Sequence, residues 1–149
     1  MRCTFLWNLF VMGGIMQGTS LSGNIIEAAI TVHRELGPGL LESVYQSCLA
    51  RELQLRGIQH QTEVPIPIWY RGEKIAGDGF RLDLLVDNHI VVELKATEKV
   101  LPVHFKQLLT YLKLSNKPLG LLINFNEVLL KNGITRIANT LTSQKISQQ

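Results

Sequence analysis

Phe80-Arg81-Leu82-Asp83-Leu84-Leu85-Val86-Asp87-Asn88-His89-Ile90-Val91-Val92-Glu93-Leu94-Lys95 is the stretch whose reading decides the fold. Two aliphatic runs flank Asp87-Asn88-His89, which predicts a hairpin of strands 80–86 and 90–96. Alternation puts Phe80, Leu82, Leu84 and Val86 on one face of the first strand, with Arg81, Asp83 and Leu85 on the other. On the second strand, Ile90, Val92, Leu94 and Ala96 share one face, and Val91, Glu93 and Lys95 share the other. A common apolar face requires an odd loop, because a one-residue slip inverts a strand. A three-residue loop at 87–89 sets Asp83 opposite Glu93 and Arg81 opposite Lys95. Opposed carboxylates cost roughly 0.2–1 kcal/mol in an exposed sheet. A hard dication held by oxygen ligands offsets that cost. The same four side chains also suit a solvated cross-strand ion network, and spacing leaves both readings open.

Upstream, Ser20 or Ser22 can cap a helix over about 23–36, with Ile25, Ile26, Ala29, Val32 and Leu36 at helical spacing. Gly37-Pro38-Gly39 breaks it. A second helix is expected over about 40–56, with Leu41, Val44, Cys48, Leu49, Leu53 and Leu55 as its apolar set. Val64, Ile66 and Ile68 alternate with Pro65, Pro67 and Trp69, which reads as an edge strand because two ladder donors are missing. Arg71–Lys74 reads as a turn. Downstream, Pro102 opens a third helix that ends near Ser115, and Leu119–Phe125 reads as a buried strand. The order is α-α-β-β-β-α-β: an α/β (α+β) chain with a central mixed sheet flanked by helices, the last strand parallel to 90–96. Glu42 and Tyr45 stand three apart on the second helix, and Gln107 and Tyr111 four apart on the third. Each pair alone also fits ordinary helix surface or a buried tyrosine. His33 reads as a capping or packing residue.

At 149 residues the chain is long enough for one domain with a core of its own. Cys3 and Cys48 form no framework, which fits a reducing cytoplasm. Cys48 reads as a small buried apolar residue. Residues 1–92 carry seven basic and nine acidic groups, net −2; residues 93–149 carry eight and three, net +5. That asymmetry permits a nucleic-acid partner, but charge alone favours a solvated surface. Residues 3–16 are mostly apolar, yet shorter than the about 20 residues of a membrane span. They show no small-x-small cleavage site. We expect 1–16 to be an extension outside the fold, 17–140 to be the domain and 141–149 a polar tail, with no stable membrane association.

Val32-His33-Arg34-Glu35-Leu36-Gly37-Pro38-Gly39-Leu40-Leu41-Glu42-Ser43-Val44-Tyr45 resembles the hallmark of the GxxExxY proteins, a branch of the PD-(D/E)XK nuclease-like superfamily. The likeness continues through Phe80–Lys95, Gln107–Tyr111 and Leu119–Asn126 to Arg136. The resemblance implies a restriction-endonuclease-like core and a Mg²⁺-dependent nuclease, with Mn²⁺ as substitute and DNA the favoured substrate. It implies Asp83, Glu93 and Glu42 as metal ligands. Lys95 would act on the attacking water, and Tyr45, Gln107 and Tyr111 would orient the site and meet substrate. Leu82 stands where the superfamily signature has its proline. A non-catalytic nucleic-acid or protein-binding module on the same scaffold is the competing expectation. Cutting both strands of a duplex from one site implies a homodimer or sequential nicking; no dimer surface is legible.

Overall fold

The computed structural model describes residues 20–75 and 79–140. The expectations for 1–16 and 141–149 therefore lie outside the described residues. Helix α1 (Leu21–Leu36) starts at Ser20, whose side chain accepts from the Gly23 N–H at 3.2 Å. Helix α2 (Glu42–Leu55) follows the Gly37-Pro38-Gly39 break. Strand β1 (His60–Ile66) leads to a short ribbon, β2 (Trp69–Tyr70) and β3 (Glu73–Lys74). The hairpin is β4 (Phe80–Val86) and β5 (Ile90–Lys95), joined by the three-residue loop that the apolar pattern requires. Helix α3 (Pro102–Ser115) then crosses to β6 (Leu119–Asn124). A 3₁₀ turn at Leu130–Gly133 leads into β7 (Ile134–Ala138), a strand that the sequence reading left out.

The main sheet has the order β1-β4-β5-β6-β7. β5 and β6 run parallel, and every other neighbouring pair is antiparallel. β1, which carries Pro65, lies at one edge of the sheet, as the missing ladder donor leads one to expect. The second edge belongs to β7. Its half-exposed Ile134-Thr135-Arg136-Ile137-Ala138 lacks clean alternation, which is why its pattern does not announce a strand.

Two cores sandwich the sheet. On one face Ile25, Ala28, Ala29 and Val32 of α1 and Tyr45, Leu49 and Leu53 of α2 pack on Leu84, Val86, Val92, Leu94, Leu121 and Ile123. On the other, Leu108, Tyr111 and Leu112 of α3 pack on Ile66, Leu82, Leu85, Val91 and Leu122. The buried face of α2 differs from expectation: Leu41 is 74% exposed and Leu55 59% exposed, while Tyr45 is fully buried. The helix is turned so that the row 45, 49, 53 meets the sheet.

The face assignment of β4 also needs correction. Leu84 and Val86 face α1 and α2, but Leu82 belongs with Leu85 to the α3 core, and Phe80 meets the Tyr111 ring at 5.3 Å. The strand changes face at Asp83. Across from it, Glu63 takes a left-handed φ of 51°, and the pairing of β1 with β4 skips the Glu63–Asp83 step. The paired residues of β4 and β5 reach only from Val86–Ile90 to Leu84–Val92. Arg81 is paired with Pro65 and not with Lys95. No helix among the described residues is long and apolar enough to cross a membrane.

Candidate active site

The irregularity in β4 builds the site. One Asp83 carboxylate oxygen accepts the Leu94 N–H at 2.8 Å, so a side chain stands where a ladder carbonyl would. The strand ends part around it. Gln46, from α2, donates to the Glu63 carboxylate at 2.8 Å and to the Asp83 carbonyl at 3.3 Å, bracing both sides of the break. Glu93, from the end of β5, is buried, and its Oε1 accepts from Lys95 Nζ at 2.9 Å. Glu93 Oε2 is buried with no hydrogen-bond partner among the described residues. Glu42, at the first position of α2, accepts the Ala96 N–H on Oε1 at 3.3 Å. That contact brings the helix start to the end of β5.

These four groups feel one another. Burial raises the Asp83 pKa, and Glu42 and Glu63 push in the same direction against the Leu94 N–H and Lys95. Burial, then repulsion from Asp83, lifts Glu93 from 4.5 to about 7 despite the adjacent ammonium. For Lys95, burial favours the neutral amine, but Glu93, Glu42 and Asp83 together outweigh it and the pKa rises. A neutral Glu93 and a charged Lys95 are therefore both accessible near pH 7.

The other expected residues divide. Gln107 Nε2 donates to Tyr111 Oη at 2.7 Å. Burial, then the nearby Glu93 carboxylate, raises the Tyr111 pKa, so that hydroxyl flanks the cluster from the α3 side. Tyr45 cannot meet substrate. Its ring is fully buried and stacks on Phe125 at 4.4 Å. Its hydroxyl donates to the Gly37 carbonyl at 2.5 Å and accepts from the Leu40 N–H at 3.2 Å. Gly37 and Gly39 both have positive φ, 68° and 102°, a conformation glycine adopts freely. Tyr45 thus pins the turn that delivers Glu42. His33 packs as expected, buried with Nε2 2.8 Å from the Glu127 carbonyl. Cys48 is half-buried against the α1–α2 core.

The sequence reading missed Glu63, Gln46 and Asn124. Fully buried Asn124 accepts the Thr97 N–H at 3.1 Å and donates to the Thr97 carbonyl at 2.9 Å, fixing the turn just beyond Lys95. The signal was an amide ending an otherwise apolar strand.

The donor set suits a hard divalent cation: carboxylate oxygens, one of them buried without a donor, gathered where β5 ends. Among the described residues, no three His, Cys, Asp or Glu side chains already stand at metal-holding distance. Asp83, Glu93 and Glu42 each turn one oxygen to an N–H or ammonium, which moderates their mutual repulsion.

Searches of curated proteins and of solved structures each returned no match. A family model described as the PD-(D/E)XK nuclease superfamily matches residues 19–137, spanning every element from α1 into β7. The chain belongs to the PD-(D/E)XK nuclease superfamily.

Proposed function

We propose that this chain is a divalent-metal-dependent nuclease of the GxxExxY type, hydrolysing phosphodiester bonds in DNA with Mg²⁺, or Mn²⁺ in its place. The observation that carries the reading is the orphaned Glu93 Oε2, buried beside Asp83 and Lys95. A buried oxygen without a donor costs about 1–3 kcal/mol, so it calls for a ligand. Asp83, Glu93 and Glu42 would hold the cation, which when bound lowers the pKa of a water and draws charge from the phosphoryl oxygens. Glu93, Glu42 and Asp83 favour the charged form of Lys95 in the metal-free site, which sets a positive charge beside the charge that develops on phosphate. Glu93, whose pKa lies near 7, can give up its proton as the site loads. Gln107 holds the hydroxyl of Tyr111, whose ring is packed in the α3 core, and the pair orients the carboxylate cluster from that side. Cleavage occurs in the cytoplasm in this reading, and a homodimer would serve cuts in both strands.

One observation favours a second reading, a non-catalytic nucleic-acid or protein-binding module. Glu42 is engaged by the Ala96 N–H, and the cluster is not drawn up as a metal cage. Incubation of the pure protein with single- and double-stranded substrates and Mg²⁺ or Mn²⁺ separates the two. The nuclease cleaves with either metal, and Lys95→Ala does not. Identical traces for both proteins would leave only the binding module.

A further inference from the structure

The β2–β3 ribbon has no part in the chemistry above. Trp69 and Tyr70 pair with Lys74 and Glu73 around Arg71 and Gly72, whose φ values of 49° and 84° make a two-residue hairpin turn. The ribbon is a built element. The Ile75 N–H donates to the Ile68 carbonyl at 2.9 Å, and a Cβ on Gly79 would meet Ile68 side-chain atoms at 3.1 Å. Yet Trp69 is 65% exposed and Tyr70 61%. Two adjacent large aromatics left in water, on a strand that sends neighbouring side chains to opposite faces, need a reason. Their surroundings narrow it. The Arg71 guanidinium lies 5.5 Å over the Tyr70 ring, Lys74 stands across from Trp69, and Glu73 is the ribbon's one acid.

Position narrows it further. β4 is antiparallel to β5, and β1 to β4, so Ile66 and Phe80 lie at the end of the sheet where β5 finishes in Lys95. The ribbon joins those two residues. Phe80 touches Tyr111, the ring that flanks Glu93. Aromatic faces with interleaved cations, carried at the same end of the sheet as the proposed phosphodiester site, match unpaired bases on a charged backbone. A duplex hides its base faces and offers nothing for these rings to stack on.

We propose that the ribbon binds an unpaired strand of the nucleic-acid substrate, bases stacking on Trp69 and Tyr70 and phosphates meeting Arg71 and Lys74. Single-stranded nucleic acid, or a frayed end, is then what reaches the carboxylates. This deepens the nuclease reading and rests on it only for the identity of the site. Binding is therefore measured in EDTA, apart from cleavage.

Trp7 and Trp69 are the only tryptophans, so Trp7→Phe in the full chain leaves Trp69 as the reporter. Titration with short oligothymidylate should quench Trp69 emission, and a blunt duplex should not at the same concentrations. With a labelled oligothymidylate followed by anisotropy, Trp69→Ala and Tyr70→Ala should each weaken binding by about tenfold or more. Trp69→Phe should restore most of the loss, and Arg71→Ala should lower the salt slope by about one phosphate contact. Unchanged affinity in both alanine variants overturns the proposal, as does a duplex that quenches equally well. Emission that responds to protein concentration but not to oligothymidylate also overturns it and marks a protein–protein surface. Quenching without cleavage under either metal would sink the nuclease reading and leave this one standing; cleavage without quenching would do the reverse.

Discussion

Glu93 carries a proton at a pH where an exposed glutamate has lost it, and its pKa of about 7 has a measurable sign. Between 4.5 and about 7 the folded chain holds a proton that the unfolded chain has released. Stability of the metal-free protein therefore falls as pH rises through that window, by on the order of 3 kcal/mol from this group alone. Asp83, shifted in the same direction, adds to the slope; Lys95, raised above 10.5, stays charged throughout. Urea denaturation in EDTA at pH values spanning the window should record the fall, and Glu93→Gln should flatten it. A stability that climbs with pH would contradict the buried-acid account. Asp83 yields a second test. An asparagine there keeps an oxygen for the Leu94 N–H and removes a charge that burial, Glu42 and Glu63 all oppose. Asp83→Asn should melt higher than wild type in EDTA, yet lose the rise in melting temperature that millimolar Mn²⁺ gives wild type by mass action. A lower melt for the mutant, beside a wild type indifferent to Mn²⁺, would mean an ion network and no metal centre.

The break in β4 and the rotation of α2 are the elements that sequence periodicity misread. Alternation assumes a continuous ladder, and the Asp83–Leu94 hydrogen bond that interrupts it joins residues on different strands. Nothing within 80–86 encodes that. For α2, counting apolar residues favoured a face holding Leu41 and Leu55, but the helix start is steered by the Tyr45 hydroxyl and the Gly37-Pro38-Gly39 turn. A tyrosine with both ring and hydroxyl committed outweighs two leucines at fraying ends. Tyr45→Phe keeps the stack on Phe125 and removes the bonds to the Gly37 carbonyl and Leu40 N–H, at a cost of about 0.5–1.5 kcal/mol because Leu40 is exposed to water. Because the same turn delivers Glu42, we expect the variant to cleave more slowly at full metal while binding oligonucleotide as wild type does. Equal stability and equal rate would remove Tyr45 from any role in positioning Glu42.

Across the whole molecule, the sheet order was largely legible and the site partly so. The β5–α3–β6 crossover set the parallel pair, and Pro65 and Pro67 marked the edge. Asp83, Glu93, Lys95 and Glu42 were visible as chemistry with motif spacing. Gln46, Glu63 and Asn124 were not, because each acts through a partner many residues away. Since the first cap among the described residues is Ser20, a chain starting at Met16 should match the full chain in urea midpoint and slope; a loss of several kcal/mol would put the upstream apolar residues in the core. The Asn124 clamp on Thr97 has a temporal side. Glu42, Asp83 and Glu93 are all translated before α3, while the amide that fixes the turn behind Lys95 and the ring that backs Tyr45 come after it. A chain emerging from the ribosome therefore holds the acidic groups of the proposed metal site before it can set them. Ribosome-bound chains arrested ahead of β6 should be inert toward oligonucleotide, and release of the finished chain should switch cleavage on. In this order of synthesis the acids come first and the clamp that sets them comes last.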